Sequence, residues 1–373
     1  MASRFSNVGT VIEEELFSEL VQLSTQDELR MPEWLSELLG ALGYRKPKPR
    51  SLNDVILVKE PSTFNFGKAS YEITEACNYK CRHCYLGRKS DKTLSVANRK
   101  KILGLIERSG CLWLQITGGE PFACKDFAET YSFAHSLGFL ISLSTNGSLL
   151  TKPHIAKILS SYPPYRLTIS LYGATADSYE TLTRTQGSFQ QFIRGLEWAK
   201  QSGIRTRLNI IVTRYNEAEK SAMINLAESF GFEYRIFPRL SPTLEGNSVP
   251  LGIMGQDCED IRKDARSSMG NSRYVGCMAG RTFFHVDSIG RGSICKIARE
   301  PNVNLLDDGI EGFSKLPGIA EQLLRPPFLC KSCTLRNSCN TCPPRLALYQ
   351  RSEVVPLYVC NRLSDVTNIS IRR

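Results

Sequence analysis

Residues 71–84 read Tyr71-Glu72-Ile73-Thr74-Glu75-Ala76-Cys77-Asn78-Tyr79-Lys80-Cys81-Arg82-His83-Cys84, a short extended run that leads straight into three thiols on one tight loop. Downstream the pattern alternates. Strand-like runs at Leu112–Thr117, Phe139–Ser144, Arg166–Leu171, Thr206–Thr213 and Tyr234–Phe237 are separated by helix-like runs. The helical runs are Ser95–Arg108, Asp126–Leu137, Pro153–Ser160, Phe189–Gln201 and Glu217–Phe230. With Tyr71–Thr74 as the first strand, this makes about six β/α units over residues 70–238, at the spacing of parallel βαβ repeats. Such units cross over right-handed and form either a barrel or an open sheet, and six are too few for a full eightfold barrel. In both arrangements polar residues at the C-terminal ends of the strands gather at one mouth. Cys77, Gly118-Gly119-Glu120, Thr145-Asn146-Gly147 and Ser170 all fall there.

Outward from this core the character of the chain changes. Residues 1–66 read as an N-terminal extension, with helical apolar spacing at Glu13–Leu23 and Pro32–Leu42 and a Pro-interrupted polar linker at Lys46–Arg50. It either covers an edge of the following domain or helps to bind a leader peptide. Residues 67–240 carry the β/α alternation, and residues 241–373 form a bridging region and a cysteine-rich module punctuated by Gly and Pro. A module with so little core of its own needs staples, which metal clusters supply.

Composition narrows the class. Of 373 residues 42% are hydrophobic and 23% charged, enough apolar material for a sizeable core and not the balance of a disordered chain. No apolar run is long enough to span a bilayer, and Met1–Glu15 lacks the apolar segment of a secretory signal, so a cytoplasmic protein is expected. The formal net charge of +10 comes without a long Lys/Arg block. It reads as a dispersed solubility surface with a tilt toward an anionic partner, and neither nucleic acid nor a membrane is expected as that partner.

Thirteen cysteines, an odd number, in a chain without a secretory signal point to metal ligation rather than disulfides. Three thiolates on the 77–84 loop can hold three irons of a cubane, leaving a fourth iron open to a chelating ligand. The alternative is a Cys3His zinc site that recruits His83.

The Cys-x3-Cys-x2-Cys spacing of Cys77, Cys81 and Cys84 resembles the signature of the radical S-adenosylmethionine (SAM) superfamily, and Gly118-Gly119-Glu120-Pro121 resembles its GGEP motif. The resemblance, over roughly residues 70–365, implies a partial (β/α)6 TIM-like barrel with a small cysteine-rich C-terminal domain. It implies that the open iron is chelated by the amino and carboxylate groups of SAM. Reduced, such a site cleaves SAM to methionine and a 5′-deoxyadenosyl radical, which abstracts hydrogen from a substrate C–H bond. Gly118 and Gly119 would let the backbone approach the ligand, and Glu120 would accept from the SAM ammonium. Asn146, Ser170 and Arg184 would be further SAM contacts. Ile169-Ser170-Leu171-Tyr172-Gly173 departs from the family pattern, with Tyr172 where an Asp is usual.

Cys277, Cys295, Cys330, Cys333, Cys339, Cys342 and Cys360 are similar in spacing to the SPASM module, which holds two auxiliary 4Fe–4S clusters, for three in all. Asp287-Ser288-Ile289-Gly290 fits that module's strand–turn–strand entry, while the Cys339–Cys342 gap is one residue shorter than the common pattern. By the family's connectivity, Cys277, Cys295 and Cys342 would serve an inner cluster, and Cys330, Cys333, Cys339 and Cys360 an outer one. The inner cluster then lacks an obvious fourth thiolate; Cys258 is one candidate, and an open iron is the other reading. Cys111 and Cys124 read as structural, and His285 lies near the inner group in sequence.

SPASM enzymes mostly modify peptides or proteins, so the resemblance implies an oxidising maturase of a ribosomally made precursor peptide, forming a thioether or carbon–carbon crosslink or a related product. A cellular electron donor such as flavodoxin or ferredoxin is implied. Lys296 stands where sulfatase-maturing relatives carry an Asp base, which counts against that activity. The alternatives are a dehydrogenase or decarboxylase of a small molecule or cofactor precursor and, from another class, a non-enzymatic zinc-ribbon protein.

Overall fold

The computed structural model describes residues 12–24, 31–41, 56–59, 62–90, 92–255, 277–325 and 342–352. The chain divides into two compact units, Met1–Asn65 and Phe66–Arg373. Cys258, Cys330, Cys333, Cys339, Cys360 and the linker at Lys46–Arg50 lie outside the described residues.

In the first unit the two amphipathic runs form α1 (Glu14–Ser24) and α2 (Glu33–Ala41). Each buries one leucine, Leu20 and Leu35, in a small core completed by Ile12, Leu23, Met31, Trp34, Leu39, Ile56 and Val58. Trp34 Nε1 donates to Glu19 Oε2 at 2.9 Å, so the indole is satisfied while its ring packs.

The second unit is built on strands β1 (Lys68–Glu72), β2 (Trp113–Thr117), β3 (Leu140–Thr145), β4 (Arg166–Leu171), β5 (Thr206–Ile211) and β6 (Glu233–Phe237). The helices between them are α3 (Val96–Arg108), α4 (Phe127–Ser136), α5 (Pro153–Ser161), α6 (Ala176–Thr183), α7 (Ser188–Gln201) and α8 (Lys220–Ser229). All six strands are parallel and each pairs with the next in sequence. An order that never reverses, joined by right-handed crossovers, places every helix on one face and makes a barrel wall rather than a doubly wound sheet. The burial pattern agrees. Leu114, Ile116, Leu143, Leu167, Ile169, Leu171, Leu208 and Ile210 are fully buried on the helix-covered face. The alternate positions, Ser70, Gln115, Ser142, Ser144, Ser170, Arg207 and Asn209, are polar and half-buried on the other.

The sheet continues past β1 into the cysteine-rich region. Strand β7 (Phe283–Val286) runs parallel to β1, and β8 (Arg291–Ser293) and β9 (Val303–Asn304) follow antiparallel. Asp287 Oδ1 accepts from the backbone N–H groups of Ile289 and Arg291, and Gly290 takes φ +86°, making the expected strand–turn–strand. Phe66, Phe284 and Phe313 pack with ring centroids 4.8–5.9 Å apart and fasten this region to the start of β1. Among the described residues the sheet ends at β6 on one side and β9 on the other, so the barrel is partial.

Helix α6 is the element that the sequence pattern did not announce. Thr175 caps it through the Ser178 N–H, and Glu219, from beyond β5, accepts from Ala174 N, Thr175 Oγ1 and Ser178 Oγ at 2.6–2.7 Å. Helix α7 lies so close to the β3 turn that a Cβ on Gly195 would stand 2.1 Å from the Gly147 carbonyl oxygen. Gly195→Ala therefore lowers stability by about 1–3 kcal/mol despite the better helix propensity of alanine. Denaturant titration of the anaerobic protein checks this; a variant as stable as the wild type would contradict the close approach.

Candidate metal centre

Strand β1 ends at Glu72, and the chain then crosses the mouth of the barrel. The β1 and β2 ends travel together: Ile73 N donates to Thr117 O, Gly119 N to Thr74 O (2.9 Å) and Glu120 N to Ala76 O (2.8 Å). A Cβ on Gly118 would lie 2.3 Å from Thr74 O, and one on Gly119 would lie 2.3 Å from Glu75 O and 2.9 Å from Cys77 Cβ. The two glycines thus do more than admit a ligand. They let the cysteine loop lie directly on the β2 end.

Glu120 locks the third strand to the same place. Its carboxylate is fully buried and accepts from Thr145 Oγ1 (2.7 Å), Asn146 N (2.7 Å) and Phe122 N (3.3 Å). Burial raises its pKa to about 7, against the lowering effect of those three donors. Asn146 then reaches back to the loop. Its Nδ2 donates to Asn78 Oδ1 at 2.9 Å, and Asn78 Nδ2 donates to Ser148 Oγ at 2.8 Å. On the far side, Lys80 N and Arg82 N donate to Thr183 O and Leu182 O at the C-terminal end of α6. Lys89 Nζ binds Tyr79 O at 2.9 Å.

Cys77, Cys81 and Cys84 stand half-buried on this clamped loop. Burial, and then the neighbouring thiols, push the Cys81 thiol well above its ordinary range; burial also raises Cys77, while Lys89 pulls it down. Three thiols whose charges oppose one another in a half-buried site suit a polynuclear cation that takes up all three negative charges. A mononuclear zinc site on this loop would need a fourth donor beside the three thiols. His83 in particular turns away. Its ring packs against Tyr172 at 4.9 Å, and burial lowers its pKa to about 4, which keeps it neutral. The residues therefore fit a cubane with one thiolate on each of three irons.

The remaining sequence-predicted residues are placed as follows. Ser170 lies half-buried on the inner face at the end of β4. Tyr172, at the position of the usual Asp, is buried between His83 and Tyr179 and forms an aromatic wall behind the loop. Arg184 is exposed at the α6 C-terminus with φ +53°, a left-handed cap directly after the carbonyls that dock the loop. Asn78, Ser148 and α6 were not singled out from sequence; their roles exist only once β1, β3 and β4 are side by side. Cys111 and Cys124 are buried.

A second thiol group forms in the C-terminal region. Burial raises the Cys342 thiol most, the Arg345 backbone N–H pulls it down, and the nearby thiols of Cys295 and Cys277 add smaller upward pushes. Cys342 caps the helix Pro343–Arg351, whose N-terminus favours a thiolate. Ala298 N donates to Cys295 Sγ at 3.4 Å. Buried Glu72 accepts from Arg299 Nη2 and Nη1 at 2.9 and 3.3 Å, tying this group's segment to the mouth end of β1. His285 is buried on β7, and burial keeps it neutral.

Residues 71–227 match the model of the Radical SAM superfamily. The chain is 30% identical over 303 residues to the mycofactocin maturase MftC of Mycobacterium tuberculosis, covering 73% of this chain and 76% of that protein. It is also 30% identical over 199 residues to an AdoMet-dependent heme synthase of Oleidesulfovibrio alaskensis, covering 52% and 50%. In fold it resembles Streptococcus suis SuiB bound to the precursor peptide SuiA, with TM-score 0.60, 18% identity and 74% and 72% coverage. It resembles native anSMEcpe with bound AdoMet at TM-score 0.53, 15% identity and 81% and 99% coverage. The chain belongs to the radical SAM superfamily. It is an enzyme of that class, with a SAM-binding 4Fe–4S cluster and the partial barrel described above. No helix among the described residues is long and apolar enough to cross a membrane.

Two outcomes test this geometry. Gly119→Ala forces the loop off the β2 end, so anaerobically reconstituted protein loses both SAM cleavage and the iron of this cluster, as measured by 5′-deoxyadenosine formation and iron analysis. His83→Ala keeps that iron, because the imidazole is not a ligand; its loss would restore the zinc-type reading.

Proposed function

We propose that the protein is a maturase that oxidatively modifies a ribosomally made precursor peptide. The observation that carries this reading is the second gathering of thiols, Cys277, Cys295 and Cys342, in the same compact unit as the SAM-cluster loop. A simple radical initiator needs one cluster. A second, separate one suits an enzyme that also removes an electron from its substrate radical. When bound, SAM and its reduced cluster supply the 5′-deoxyadenosyl radical. The chain's own residues hold the loop rigid through Gly118, Gly119 and Glu120, and offer Asn146, Ser170 and Arg184 as SAM contacts at the mouth. The polar inner wall below the mouth orients the substrate.

In the same reading Cys277, Cys295 and Cys342 hold an inner auxiliary cluster, completed by Cys258 or left open to the substrate. Cys330, Cys333, Cys339 and Cys360 hold an outer one, for three clusters in all. The α1–α2 unit has a core of its own, which suits a module that recognises the leader of the precursor. A flavodoxin or ferredoxin in the cytoplasm supplies the electron. The likeness to MftC covers about three quarters of each chain, whereas the likeness to the heme synthase is confined to about half of each chain, and this favours a peptide over a cofactor precursor.

Anaerobic reaction with SAM, reductant and candidate precursor peptides, read by mass spectrometry, tests the proposal. The expected product is a peptide lighter by the hydrogens or the group removed, from protein holding about twelve irons per chain, as three cubanes require. Cys295→Ala retains 5′-deoxyadenosine formation and loses the peptide product. Accumulation of 5′-deoxyadenosine with no peptide changed in mass would contradict the proposal.

A further inference from the structure

Strand alternation and register put Arg166 of β4, Arg207 of β5 and Arg235 of β6 on the inner face of the barrel, together with Asn209. The opposite face of β4 and β5 buries Leu167, Ile169, Leu171, Leu208 and Ile210 under the helices, while Arg235 lies on the exposed side of the edge strand β6. Ser170, Asn209 and Arg235 lie in one transverse row. Neighbouring strands are about 4.8 Å apart, so Arg235 stands about 10 Å from Ser170, within side-chain reach of the mouth.

The fold leaves the charge of these three guanidinium groups unbalanced, although Arg166 Cζ lies 5.7 Å from the centroid of the Tyr165 ring. Among the described residues none of them forms an ion pair. The Nε atoms of Arg166 and Arg207 are buried without a hydrogen-bond partner, and Asn209, whose Nδ2 is a further donor, stands between Ser170 and Arg235 in the register. Arg207 feels Arg235 and Arg166 as like charges, and Glu233, its register neighbour, opposes them only in part. Buried polar atoms in a folded protein are nearly always satisfied, and three like charges on one wall repel. A ligand that brings negative charge and acceptor oxygens resolves both problems, and a carboxylate matches the guanidinium fork best.

We propose that Arg166, Arg207 and Arg235, with Asn209, form a carboxylate-binding subsite that holds an acidic group of the substrate on the inner wall beside the SAM site. Its place beside that site rests on the function proposed above, which makes the acidic group either an Asp or Glu side chain or the C-terminal carboxylate of the peptide. Bound there, the group fixes how far along the wall the rest of the substrate reaches, and so which C–H bond faces the mouth. The subsite is a positioning device and takes no part in bond making.

The test is calorimetric titration of reconstituted, SAM-loaded enzyme with four probes. They are acetyl-Ala-Glu-Ala amide, its Gln isostere, the Gln peptide with a free C-terminal carboxylate, and glutarate. At least one of the acidic peptides is expected to bind at least tenfold more tightly than the neutral isostere, and which one does so identifies the source of the carboxylate. Arg207→Gln and Arg235→Gln abolish the preference, Arg207→Lys keeps part of it, and Arg194→Gln, on the exposed side of α7, leaves it unchanged. Equal binding of acidic and neutral probes, no binding of any carboxylate, or a preference that survives both Gln variants overturns the subsite. So does a loss of SAM affinity in those variants, which would assign the arginines to SAM. Glutarate bound as tightly as the better acidic peptide would keep the subsite and count against a peptide substrate, so the two readings fail separately.

Discussion

The structure depends on one close approach, the cysteine loop lying directly on the Gly118-Gly119 end of β2. Backbone groups, not side chains, make this contact, through Gly119 N to Thr74 O and Glu120 N to Ala76 O, and any Cβ at either glycine would break it. A cubane ligated by three residues of one short loop tolerates little movement. The loop is accordingly clamped on three sides, by β2 below, by Asn146 from β3, and by the last carbonyls of α6. Glu120 is the hinge pin of the clamp. Its burial costs desolvation, which Thr145 and Asn146 at the end of β3 and the Phe122 N–H, two residues on, partly offset.

This clamp also explains why the barrel can be incomplete. A closed barrel would fill its interior with packed side chains. Here the inner face is lined by Ser70, Gln115, Ser142, Ser170 and Asn209, with Trp113, Leu140, Ile211 and Phe237 at the strand ends, while the other buried leucines and isoleucines of β2–β5 face the helices. The hydrophobic effect therefore holds the wall from outside, and the interior is left polar for ligands. The rigid mouth and the polar chamber are two consequences of one strand alternation.

Much of this was legible in the sequence. The six strands and the helices between them follow from apolar periodicity, and the motifs fall at strand ends because parallel βαβ units require it. What escaped were features that exist only between elements. Helix α6, Ala176–Thr183, is only 8 residues long, and part of its N-terminal capping comes from Glu219, 41 residues beyond Ser178. Phe283–Val286 is too short to announce that it extends the barrel sheet along β1. The arginines at 166, 207 and 235 were not singled out, because only the strand register sets them on one inner wall. His83 shows the reverse. Its position between ligands invited a metal role, and packing against Tyr172 removed it.

The measurement closest to the central claim is electron–nuclear double resonance on the reduced enzyme with SAM labelled with nitrogen-15 at its amino group and oxygen-17 at its carboxylate. If the clamped loop leaves one iron open to SAM, both labels give hyperfine couplings to the cluster of Cys77, Cys81 and Cys84. A cluster signal with SAM bound and no coupling from either label would contradict the account.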